Sequence, residues 1–203
     1  MKFSSIFSIA TLAVSALAAP FVEADTKAVR ASAPASVDDI VTLFSGSSES
    51  ITSKTTQIDT ILKQVQSGET PQSEANPQVL DLVQGINLDL SAIVNSLTTS
   101  AGIPVQEGDV DRLLIVVNAL LTVVLANVRA IVTVLGLQPQ LVSILRSVVI
   151  LVSNIVTLLT GLVAGLLPGL IAALSPLLAG LGNGVLAPIL TPLAALLAGL
   201  AGP

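Results

Sequence analysis

The chain contains no histidine, cysteine, tryptophan or tyrosine, and each absence closes a class of function. Without histidine the commonest general base and metal ligand is missing, and Ser-His-Asp and Cys-His nucleophilic chemistry are excluded. Without cysteine there is no thiolate nucleophile, no zinc-thiolate site and no disulfide. Charge is scarce as well: 10% of the residues are Asp, Glu, Lys or Arg, against about 25% in ordinary globular domains. The formal net charge of -5 repels a phosphate backbone, and no basic patch or aromatic platform offsets that repulsion. Nucleic acid is therefore not an expected partner, and no metal or cofactor is called for. What remains is apolar. Of 203 residues 52% are hydrophobic, and the mean hydropathy is +0.90, enough to fill a sizeable core with material to spare.

That material is unevenly placed. All thirteen acidic residues lie at or before Asp111, the only charges after residue 112 are Arg129 and Arg146, and residues 147–203 carry none. At the other end, residues 1–18 read as a secretory signal: Lys2 supplies the positive start, Ile6 to Leu17 the apolar run, and Ala16-Leu17-Ala18 the small-residue cleavage pattern. A secreted chain without cysteine has given up the usual extracellular staple, so its order must come from packing or from a surface. Residues 19–36 mix Ala, Pro and Ser with Glu23, Asp25, Lys27 and Arg30, the composition of a mobile lead-in. Arg30 alone is the cue for a propeptide cut.

Residues 37–108 read as a polar region of three amphipathic helices. Val37, Ile40, Val41 and Phe44 make a short one that Gly46 would stop. Ile51, Ile58, Ile61, Leu62 and Val65 recur at helical spacing, with Gly68 where a C-terminal cap belongs. In the third, Asn76 is placed to cap with Pro77 at the first helical position, and Val79, Leu82, Val83, Ile86, Leu90, Ile93, Val94 and Leu97 share one face. Gly102 and Pro104 end it, and composition changes over residues 102–108.

Residues 109–167 predict an apolar helical hairpin, with helices over 109–135 and 139–167 and Gly136 to Gln138 as the turn. Asp109 and Asp111 would face the positive end of the first helix dipole. Asp111, Asn118, Thr122, Arg129 and Thr133 trace a narrow polar stripe on the first helix, and Gln140, Ser143, Ser147, Asn154, Thr157 and Gly161 trace another on the second. Residues 168–203 form a hydrophobic tail of Leu, Ala, Gly and Pro, in which Pro168, Pro176, Pro188 and Pro192 predict short helices over 169–174, 176–181 and 188–200, with residues 180–184 as a flexible joint. The expected fold is thus all-α: amphipathic helices packed on a long antiparallel hairpin, followed by a Pro/Gly-broken apolar tail. Thirteen of the residues 147–167 are Leu, Ile or Val, so membrane insertion is energetically permitted. The regular polar stripes, the short turn and the broken tail favour a bundle or an interface instead. A lipid-anchor signal would need a clearer polar spacer and a shorter tail.

A secretory signal, a polar N-terminal half and a cysteine-free, strongly hydrophobic C-terminal half together resemble the small secreted cell-wall proteins of mushroom-forming fungi. Those proteins lack the hydrophobin cysteines yet serve aerial growth and attachment. Residues 37–97 are more weakly similar to fungal hydrophobic-surface-binding and cell-wall mannoproteins. The resemblance implies extracellular, wall-associated localisation, self-association, contact with hydrophobic surfaces and wall polymers, and no enzymatic activity; it carries over no catalytic, cofactor-binding or metal-binding residue. Alternatives from other classes are an integral membrane protein with a transmembrane hairpin and a secreted lipid-binding helical protein. Enzymatic chemistry would be confined to carboxylates, and the clusters Asp38-Asp39 and Glu107-Asp109-Asp111 are better read as solvated helix ends. N-glycosylation sequons are absent, since Asn95-Ser96 is followed by Leu97. Ser and Thr density makes residues 45–56 the expected place for O-linked sugar.

Overall fold

The computed structural model describes residues 33–100, 102–106, 108–163, 165–181 and 187–200. The signal-like segment, most of the lead-in with Arg30, Glu107 and the joint at 182–184 lie outside the described residues. Among the described residues there are six helices and no strand. They are α1 (Val37–Gln66), α2 (Gln72–Thr98), α3 (Asp109–Leu135), α4 (Pro139–Leu162), α5 (Leu166–Leu181) and α6 (Ala187–Leu200). The all-α expectation holds.

The start of α1 is a capping box: the Ser36 hydroxyl accepts from the Asp39 N–H at 3.1 Å, and the Asp39 carboxylate accepts from the Ser36 N–H at 3.1 Å. The helix then runs through Gly46 without a break, so the two short helices expected here are one. The buried residues Val37, Ile40, Phe44, Ile51, Thr55, Ile58 and Leu62 keep one helical phase across the glycine, and that packing outweighs a propensity cost of about 1 kcal/mol. Gly68 closes α1 with a φ of 78°, the left-handed position that glycine takes without strain.

Helix α2 starts a turn earlier than expected. Pro71 stands at the N-cap, Asn76 and Pro77 lie inside the helix, and Asn76 caps nothing. Ala75 is fully buried, so the apolar stripe begins before the proline and draws the first turn into the core. In α3 the observed bounds match the expected ones, set by Gly108 at the N-cap and Gly136 at the C-cap. Helix α4 ends at Leu162 rather than 167, because Val163 is extended and Gly165 has a φ of 89°. The tail is also less broken than expected: α5 passes through Pro168 and Pro176, and α6 through Pro188 and Pro192. Pro168 and Pro188 fall within the first turn, where no intrahelical N–H bond is lost.

The six helices stack as three pairs. Helices α1 and α2 form the first tier, α3 and α4 the middle tier, and α5 and α6 the outer tier. The closest packing is α1 on α3, α2 on α4 and α1 on α2, with α5 set on α3 and α6 on α4. The hairpin is present but open: α3 and α4 follow one another across a short turn, and each packs more closely against helices of the other tiers than against the other. Their apolar faces are too wide for one partner to cover. Helices α1 and α3 run parallel, since Asp38 meets Arg112 near their starts while Leu62 and Leu125 line one groove further along. Helices α1 and α2 run antiparallel, pinned by Lys54 to Asp89 at 2.7 Å.

Candidate interfacial surface and apolar groove

The tiers differ in charge as sharply as the sequence halves do. The first tier holds Asp38, Asp39, Glu49, Asp59, Glu74, Asp81 and Asp89 against Lys54 and Lys63. The middle tier holds Asp109 and Asp111 against Arg112, Arg129 and Arg146, and the outer tier holds no charge. Acidic charge is thus concentrated on α1 and α2 and charge is absent from α5 and α6. On α5 and α6 the exposed side includes Pro168, Ala172, Ser175, Pro176, Thr191, Ala194, Ala195 and Ala198, while Leu170, Leu174, Ile189 and Leu193 are fully buried. Among the described side chains of these two helices, the exposed ones are thus small and uncharged and the buried ones are Leu and Ile.

The Leu, Ile and Val residues of α3 and α4 are mostly core. Leu113, Val117, Leu120, Leu121, Val149, Val152, Ile155 and Val156 are all completely buried. Both polar stripes lie on the water-facing sides of α3 and α4, with Asn118 and Ser147 half-buried and the others exposed. Large apolar side chains left in water include Ile115 at 70% exposure and Leu88 at 68%. Helices α3 and α4 are both long and apolar enough to cross a membrane, yet about half of their most apolar stretches, 50% and 44%, is buried among the other helices.

The acidic clusters come together at one end of the stack. Arg112 bonds Asp38 at 2.9 Å and lies 3.9 Å from Asp109, so the two clusters that are separate in sequence share a guanidinium. The Asp109 carboxylate also accepts from the Gln106 N–H at 2.8 Å, reaching back before the helix instead of capping it. Asp39 is held below the usual carboxylate range, first by the Ala35 N–H and then by the Ser36 hydroxyl. Among the described residues, no three His, Cys, Asp or Glu side chains gather as a metal site.

A groove of about 550 Å³ runs between α1, α3 and α5. Leu62, Leu125, Ala126, Ala130 and Val134 line it, with Pro176 from the outer tier, and Asp59, Lys63 and Arg129 also border it. A shallower depression of about 790 Å³ lies between α2 and α4, where Gln84, Asn87, Gln140 and Ser143 surround Leu80, Leu88 and Ile144. Neither is legible in the sequence. Each draws its walls from helices far apart along the chain, and Arg129 reads there as one more member of a polar stripe. No protein-family model matches the chain, and no curated protein and no solved structure matches it.

Proposed function

We propose that this is a secreted, non-enzymatic amphiphilic protein that adsorbs at boundaries between water and hydrophobic material, in the manner of a wall-associated surface coat. The observation that carries the reading is the charge polarity of the three tiers, acidic on α1 and α2 and uncharged on α5 and α6. Apolar burial is worth roughly 25 cal/mol per Å², so the neutral face gains by leaving water while the acidic face stays hydrated and limits precipitation. Adsorption by the neutral face then places α3 and α4 one tier from the boundary. Opening of the stack there would lay their Leu, Ile and Val faces on the apolar side. Partners on this reading are hydrophobic surfaces, wall polymers and further copies of the chain.

The mature chain should lower the surface tension of water, with far-UV circular dichroism showing helix retained in the adsorbed film. An immunoblot of medium, wall extract and carbonate-washed membranes from producing cells locates the protein. Recovery in medium and wall supports the coat reading. Retention in washed membranes, or no effect on surface tension, overturns it in favour of the transmembrane alternative or a plain soluble bundle. A transmembrane hairpin would require α3 and α4 to give up α1 and α2, because the paired first tier would carry Asp59 and Lys63 to membrane depth beside them.

A further inference from the structure

The groove between α1, α3 and α5 has features that surface adsorption does not use. Its apolar wall includes Leu62 and Leu125, both at least 96% buried by their 4% and 1% exposures, so the lining is fixed by the core behind it. Its volume of about 550 Å³ falls within the roughly 300–1,000 Å³ of small-molecule sites. At its border stand two cations and one carboxylate, Lys63, Arg129 and Asp59, in a chain whose net charge is -5. Among the described residues neither Lys63 nor Arg129 has an ion-pair partner. Arg129 lies well inside α3, away from the negative end of the helix dipole that favours Lys63 in the last turn of α1.

We propose that this groove binds one free single-chain amphiphile with a carboxylate head, a long-chain fatty acid, with its tail along Leu62, Leu125, Ala126 and Ala130 and its head at Arg129 and Lys63. Charge complementarity selects the head: two cations against one carboxylate favour an anion, and a guanidinium can take a carboxylate in bidentate fashion. A single groove of this volume selects one chain over a diacyl lipid. The apolar wall and the cationic border occupy the same cleft, so an amphiphile satisfies both at once. An inorganic anion would leave the wall wet, and a neutral alkane would leave the cations unused.

The test is isothermal titration calorimetry of the full chain with palmitate below its micelle concentration, beside hexadecanol and hexadecyltrimethylammonium. Saturable binding of one palmitate per chain is expected, with the alcohol weaker and the ammonium amphiphile weakest. Arg129→Gln should weaken palmitate binding roughly five- to tenfold and leave hexadecanol unchanged. Ala130→Phe, which fills the wall, should weaken both. Arg129 is exposed, so its variant keeps the test valid if the Phe variant does not fold. Arg146→Gln, on the water-facing side of α4, should change nothing. Equal uptake of all three amphiphiles, non-saturating uptake, or palmitate binding indifferent to Arg129→Gln overturns the proposal. That failure would leave the surface-tension reading standing, and loss of surface activity with stoichiometric palmitate binding would do the reverse.

Discussion

Three polar side chains hold the first tier together from within. Lys54 lies against Gly85, bonds Asp89 at 2.7 Å and the Ser50 hydroxyl at 2.6 Å, and that hydroxyl in turn donates to Asp89 at 3.0 Å. Both charges are 24% exposed, between the surface pairs worth under about 1 kcal/mol and the buried ones whose breakage costs about 3–5. Asp89→Ala should therefore cost about 1–2 kcal/mol, read from the denaturant midpoint by circular dichroism. Asn127 is the opposite case. It is 6% exposed, its Nδ2 is buried with no partner, and Val124, Val128, Ile131 and Val148 surround it. Removing an unsatisfied amide without losing volume relieves a desolvation cost, so Asn127→Leu should stabilise by about 1 kcal/mol and raise Tm by roughly 2–4 °C. Asn127→Ala, which leaves a cavity, should not. For Asp39 the folded pKa is depressed. Its contribution is present above the unfolded carboxylate pKa of about 3.9 and is lost as pH falls through the lower folded value. The Asp39 carboxyl carbon shift should titrate lower in the folded chain than in urea, and Ser36→Ala should narrow the gap.

Helices were legible where end signals and the apolar stripe agreed. For α3, Gly108 and Gly136 bracket a continuous apolar stripe, and expected and observed bounds coincide. For α1 the two signals conflict: Gly46 suggests a stop, but buried positions from Val37 to Leu62 hold one phase, and tertiary burial wins. The same holds at Asn76-Pro77, where a capping pattern is overruled by Ala75 in the core. The groove was not legible, since nothing local to Lys63 or Arg129 announces the other. A glycine kept in helix by packing alone is a place to gain stability. A Cβ added at Gly46 meets nothing within 4 Å, so Gly46→Ala should stabilise α1 by about 0.5–1 kcal/mol. A loss of stability on that substitution would mean that α1 bends or opens at Gly46 in solution.

At the scale of the whole molecule, the proposed adsorption needs two steps with different dependences. Docking of the neutral α5 and α6 face requires no change in the stack, and its rate depends on the charge that adsorbed copies present to arriving ones. Opening, by contrast, must separate α1 and α2 from α3 and α4 and expose a core that is buried in water, so its free energy includes the stability of the bundle. Combining Gly46→Ala with Asn127→Leu should add about 1.5–2 kcal/mol if the distant sites are additive, without altering the outer face or the net charge. The double variant should then match the wild type in the early fall of surface tension and lag in the late phase by roughly ten- to thirtyfold, since about 1.4 kcal/mol is a factor of ten. Identical late phases would show that the bundle adsorbs intact, leaving the uncharged outer tier as the whole of the surface-active device.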